Sequence, residues 1–123
     1  LKNNHVDLAG APLAELVRRL RERLGPGVRI HAEARDEAEG LSAVEGGADV
    51  VMLDNLPPSQ MAALCPRLRA AAGGRPLEIE ASGGVSLATV GEIAASGVDR
   101  VSVGALTHSA PALDLSLYLE PDA

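Results

Sequence analysis

Two acidic side chains and two glycine-containing bends carry the plainest chemistry in this sequence. Glu33 and Asp54 fall at the ends of segments 28–34 and 49–54. Ser82-Gly83-Gly84-Val85 follows segment 77–81, and Gly104-Ala105-Leu106-Thr107-His108-Ser109 follows segment 99–103. Neighbouring carboxylates repel unless a cation or a developing positive charge lies between them. The pair therefore suits Mg2+ carried on a phosphorylated substrate, or a ribose that becomes oxocarbenium-like. Glycine bends let backbone N–H groups close on an anion, and a helix beginning directly after the bend adds its dipole. Thr107, His108 and Ser109 supply further donors. Plainer alternatives stay open: Asp54 caps the Asn55-Leu56-Pro57 turn, and Ser82-Gly83-Gly84 is an ordinary turn. Glu80 is ambiguous between an interior partner for a basic group and no direct role.

These groups need a scaffold, and hydrophobic periodicity supplies one. Leu13, Leu16, Val17, Leu20 and Leu24 recur at helical spacing, with Pro12 before them and Gly25-Pro26-Gly27 after them. A strand over 28–34 follows, then a helix capped by Asp36 that carries Ala38, Leu41 and Val44 and stops at Gly46-Gly47. Segment 49–54 reads as a buried strand. Pro57-Pro58 opens a helix with Met61, Leu64, Cys65 and Leu68 on one face, and Pro66 should kink or shorten it. Strands over 77–81 and 99–103 flank a helix over 86–96, and 111–119 reads as a short closing helix.

Strands alternating with helices mark parallel βα units joined by right-handed crossovers. Four such units cannot close a barrel, which takes about 250 residues. The expected fold class is α/β: parallel βα units forming the C-terminal part of an incomplete (β/α) barrel, with a four-strand doubly wound sheet as the alternative. Alternation along each strand turns Glu33, Asp54, Ser82 and Gly104 away from the helices, toward what would be the barrel mouth.

Composition narrows the class. The chain has 123 residues, 46% hydrophobic, with 11 basic against 17 acidic side chains and a net charge of -6. That length allows one domain. With one Tyr and no Phe or Trp the chain offers no stacking platform, and together with its acidic balance this argues against nucleic acid. No apolar run approaches the roughly 18 residues that cross a bilayer. One cysteine, Cys65, makes no disulfide framework and reads as core filler, and no signal peptide is visible, so a cytoplasmic location is expected. The chain opens without Met, inside what reads as a strand end, which points to part of a longer protein. His5 and His31 read as structural histidines, and Arg18, Arg19, Arg21 and Arg23 as the wet side of their helix. On position alone Lys2, in an extended segment, reads as a solvated charge.

One family matches these residues closely. Leu1-Lys2-Asn3-Asn4-His5-Val6, residues 30–34, Gly47-Ala48-Asp49-Val50-Val51-Met52-Leu53-Asp54-Asn55, Glu80-Ala81-Ser82-Gly83-Gly84-Val85, and the run from Val101-Ser102-Val103-Gly104 through Leu113-Asp114 resemble quinolinate phosphoribosyltransferase, also called nicotinate-nucleotide pyrophosphorylase (carboxylating). The resemblance implies a type II phosphoribosyltransferase barrel portion over 1–123, with an N-terminal sandwich domain and the first barrel strands outside this chain, in a homodimer or higher homo-oligomer. It implies that quinolinate and phosphoribosyl pyrophosphate (PRPP), with Mg2+, give nicotinate mononucleotide, pyrophosphate and CO2 in NAD synthesis. Lys2 matches a lysine that binds substrate carboxylates, which replaces the solvated-charge reading. Glu33 and Asp54 match the ribose and metal-side acids, and Ser82, Gly83, Gly84, Gly104 and His108 match the 5′-phosphate cradle. Asn3 departs from the Asp or Glu usual there. The segment alone is not expected to be active. Rival readings are a paralogous pyrophosphorylase with another acceptor, a thiamin phosphate synthase-like barrel, and a non-catalytic phosphate-binding or dimerisation module.

Overall fold

Alternating side chains sort each strand into a helix-facing row and an opposite row, and the sheet follows from pairing those rows. The computed structural model describes residues 1–121, and the last two positions of the 1–123 unit expected from the sequence lie outside the described residues. Four strands, β1 (His31–Ala34), β2 (Val50–Asp54), β3 (Glu78–Ser82) and β4 (Arg100–Val101), form one parallel sheet in the order β1-β2-β3-β4. Ala32, Ala34, Val51, Leu53, Ile79 and Ala81 are fully buried and pack with the helices into one core. The register sets Glu33 beside Met52, Met52 beside Glu80, and Asp54 beside Ser82 on the opposite face.

Strand order decides between the two expected architectures. A doubly wound sheet reverses its order so that helices cover both faces. Consecutive order with right-handed crossovers sends every connecting helix to the same face, as in a barrel wall. The doubly wound alternative is therefore overturned, and the face carrying Glu33, Asp54, Glu80 and Ser82 is the barrel's inner face.

Around the sheet lie α1 (Asn3–Ala9), α2 (Leu13–Leu24), α3 (Glu37–Gly46), α4 (Pro58–Ala71), α5 (Val90–Ala95) and α6 (Ala105–His108). In α3 the Asp36 side chain accepts the Glu39 N–H, as the sequence led one to expect. Its buried face is Gly40, Ala43, Val44 and Gly46, while Ala38 is exposed. At Gly46 a Cβ would lie 2.7 Å from the Ala14 carbonyl oxygen, so the α2–α3 crossing needs glycine there.

Several elements differ from expectation for local reasons. Residues 3–9 form α1, where an extended opening was expected; Lys2 itself is extended, and the Lys2 N–H donates to His5 Nδ1 at 3.0 Å, which caps the helix. The first strand begins at His31, because Val28 stays exposed beyond the Gly25-Pro26-Gly27 turn. β4 is two residues long, followed by one further ladder bond from Ser102 N–H to the Ala81 oxygen. α4 runs through Pro66 to Ala71: Pro66 lies on the exposed side, and Met61, Leu64, Cys65 and Leu68 hold the other side in the core. α5 starts at Val90, after a turn closed by Ser86 and Thr89. No helix forms over 111–119, where Leu113, Leu115, Leu117 and Leu119 recur every second residue and are exposed. That period gives a helix no apolar stripe.

Two aspartates tie successive units together. Asp49 accepts the Ile30 N–H at 2.7 Å and pairs with Arg21, while Asp99 accepts the Ile79 N–H at 2.8 Å and pairs with Arg69. Burial pushes both carboxyls up, but the strand N–H and the guanidinium outweigh it and hold them below the ordinary carboxylate value. Arg21 is thus a tie between α2 and β2, not part of a wet face.

Candidate active site

Glu33 occupies the inner face of β1 with a side chain 7% exposed. Leu1 runs alongside that strand, its carbonyl oxygen accepting the Glu33 N–H at 2.9 Å, and this brings Lys2 to the carboxylate. Lys2 Nζ stands 3.4 Å from Glu33 Oε2, with the lysine side chain 70% exposed. A cleft of about 220 Å3 opens here, lined by Leu1, Lys2, His31, Glu33 and Met52. The arrangement is a sunken carboxylate with one exposed cation at its mouth, and an exposed partner contributes little to stability.

Asp54 ends β2 one strand over and two residues further along, which places its Cα roughly 8 Å from that of Glu33. Its Oδ1 accepts the side-chain amide of Asn55 at 3.0 Å, and no backbone N–H of the following turn reaches it among the described residues, so the turn-capping reading does not hold. Ser82 is its register partner. The next residue, Gly83, has φ +90°, and a Cβ there would lie 2.3 Å from Asn55 Oδ1. The bend therefore needs glycine for conformation and for space. Gly84 continues with φ +61°. The bend does not run straight into a helix start, because the Ser86–Thr89 turn intervenes. Any anion there meets turn N–H groups and not a helix dipole.

Glu80, on the same inner face, is 6% exposed and accepts a hydrogen bond from the Ser102 hydroxyl, a partner that sequence reasoning did not name. Beyond Ser102 the chain turns through Gly104 into α6. His108 Nε2 sits 3.2 Å from where a Cβ on Gly104 would be, and His108 Nδ1 lies 2.7 Å from Ser109 Oγ. The two bends thus follow adjacent strands. Asn55 was missed as well; the Asp-Asn dipeptide before Leu-Pro-Pro signalled a turn, but nothing in the order of residues signalled its contact with Gly83.

Other reactive groups stand aside. Cys65 is buried in the core, and burial pushes its thiol up, away from the nucleophilic thiolate. Among the described residues no three His, Cys, Asp or Glu side chains form a metal cluster, and no helix is long and apolar enough to cross a membrane.

Residues 1–118 match the protein family described as quinolinate phosphoribosyl transferase, C-terminal domain. The chain is 38% identical over 119 residues to nicotinate-nucleotide pyrophosphorylase (carboxylating) of Rattus norvegicus, a match covering 97% of this chain and 39% of that protein. It is 38% identical over 117 residues to the probable nicotinate-nucleotide pyrophosphorylase (carboxylating) of Archaeoglobus fulgidus, covering 95% of this chain and 44% of that one. The crystal structure of NadC from Streptococcus pyogenes superposes with a TM-score of 0.78 at 30% identity, over 98% of this chain and 41% of that chain. The chain spans about two fifths of the length of these curated relatives.

Proposed function

The chain belongs to the quinolinate phosphoribosyl transferase C-terminal domain family, and from that premise we propose that it supplies the ribose-phosphate end of the site in a longer enzyme making nicotinate mononucleotide from quinolinate and PRPP. The observation that supports this reading most is the register of Asp54 with Ser82: it sets an acid and a glycine bend on one rim, with Glu33 on the neighbouring strand.

The chemistry follows from that placement. Ser82, Gly83 and Gly84, with Gly104 and His108 after the adjacent strand, hold the 5′-phosphate. The ribose is thereby fixed over the inner face, and fixing a reactant removes much of the entropic part of the barrier. As the bond from C1′ to pyrophosphate breaks, positive charge grows at C1′, and Glu33 and Asp54 stabilise it from the sheet. The quinolinate ring nitrogen donates its electron pair to C1′. The quaternised nitrogen then favours loss of the adjacent carboxyl group as CO2; the electron pair stays on the ring carbon, which takes a proton from solvent. Lys2 pairs with a quinolinate carboxylate when that ligand draws it from Glu33.

Mg2+ enters this reading as part of the PRPP substrate. It dehydrates reluctantly and commonly takes only one or two protein carboxylates beside substrate phosphates, which suits Glu33 and Asp54 better than a dedicated cage. The reading carries with it an N-terminal sandwich domain, the remaining barrel strands, a homodimer and a cytoplasmic location.

Steady-state kinetics of the full-length protein test it. Wild type is expected to consume quinolinate only with PRPP present. Glu33→Ala and Asp54→Ala are expected to lower kcat about 100-fold or more, with the quinolinate KM changed by less than about threefold. A change confined to the quinolinate KM contradicts the assignment.

A further inference from the structure

We propose that Asn55 is a positioning residue that locks the Asp54 carboxylate and the Ser82-Gly83-Gly84 bend into one unit, a role that rests on the reading above of those two groups. Four features of Asn55 converge on it. Its φ is +56°, the one positive value at a non-glycine residue among those described. Its N–H donates to the Ser82 carbonyl oxygen at 2.8 Å, fastening the β2 exit to the last residue of β3. Its side-chain Nδ2 donates to Asp54 Oδ1 at 3.0 Å. Its side-chain oxygen occupies the volume that a Cβ on Gly83 would fill, 2.3 Å from that position.

The left-handed conformation alone does not call for asparagine, since glycine adopts it more readily. What glycine lacks is the amide, and the amide makes both side-chain contacts. Its nitrogen fixes one oxygen of Asp54 and leaves the other free to face the ribose. Its oxygen side closes against Gly83, so the bend that holds the phosphate cannot move without disturbing the acid. Asn55 therefore acts through Asp54 and Gly83, setting the separation between the phosphate anchor and the charge at C1′.

Two variants of the full-length protein isolate the amide. Asn55→Gly keeps the backbone conformation and removes both side-chain contacts. Asn55→Asp keeps the shape but replaces the donor with a second carboxylate beside Asp54. For Asn55→Gly, kcat is expected to fall about 10- to 100-fold and the PRPP KM to rise, as for a modest misplacement of reacting groups, while the quinolinate KM stays within about threefold. Asn55→Asp is expected to be no better than Asn55→Gly. Wild-type kinetics in Asn55→Gly overturn the proposal, and so does an unimpaired Asn55→Asp. Loss of the fold in both variants, read by circular dichroism, also overturns it, because Asn55 would then serve the fold and not the site. If wild type consumes no quinolinate, the functional reading itself fails; if wild type is active and Asn55→Gly matches it, only this proposal fails.

Discussion

At Gly83 two independent constraints meet. With φ +90° and Asn55 Oδ1 2.3 Å from a would-be Cβ, alanine faces both an unfavourable backbone conformation and a collision. Gly83→Ala is expected to destabilise the protein by roughly 1–3 kcal/mol and to raise the PRPP KM more than the quinolinate KM. Urea unfolding and steady-state kinetics read the two effects, and an unchanged PRPP KM would show that the bend does not hold the phosphate. At the same scale, residue type and alternation were enough to set Glu33, Asp54 and Ser82 on one face at strand ends. They were not enough to find Asn55 or the Ser102 partner of Glu80, because both act through contacts across neighbouring strands or loops that no local spacing encodes.

Between elements, the connecting device is an aspartate preceding each of β2 and β4. Asp49 and Asp99 reach back to the first N–H groups of the preceding strand region and gather an arginine from a helix. Because their folded carboxyls are held below the ordinary value of 3.8, their contribution is complete above that value and disappears as pH falls through the lower folded one. Asp49→Asn is expected to cost about 1 kcal/mol at neutral pH and to flatten the loss of stability below about pH 4. Urea midpoints between pH 3 and pH 7 check this, and an unaltered acid limb would contradict it. Period explains what was legible in these elements: α2 and strands β1 to β3 follow from apolar spacing and its flanking Gly and Pro. The closing helix expected over 111–119 ran against period, since leucines at every second residue cannot make a helical stripe. Period was silent at α1, whose short helix depends on the His5 cap and not on an apolar face.

For the molecule as a whole, consecutive strand order does the deciding. It gives one face to the core and leaves the other free of helices, so Glu33, Glu80, Asp54 and Ser82 share a surface around Met52 without helices competing for it. The parallel units and their inner face were legible because alternation and crossover handedness are local rules; an acceptor pocket for the proposed reaction was not, and this chain spans about two fifths of the length of its curated relatives. The most direct test of the account is a crystal structure of the full-length protein with PRPP and Mg2+ bound. The account predicts the 5′-phosphate against the backbone N–H groups of Gly83 and Gly84 and beside Gly104, with C1′ facing Glu33 and Asp54. A 5′-phosphate held instead at Lys2, with C1′ turned away from both acids, would contradict it.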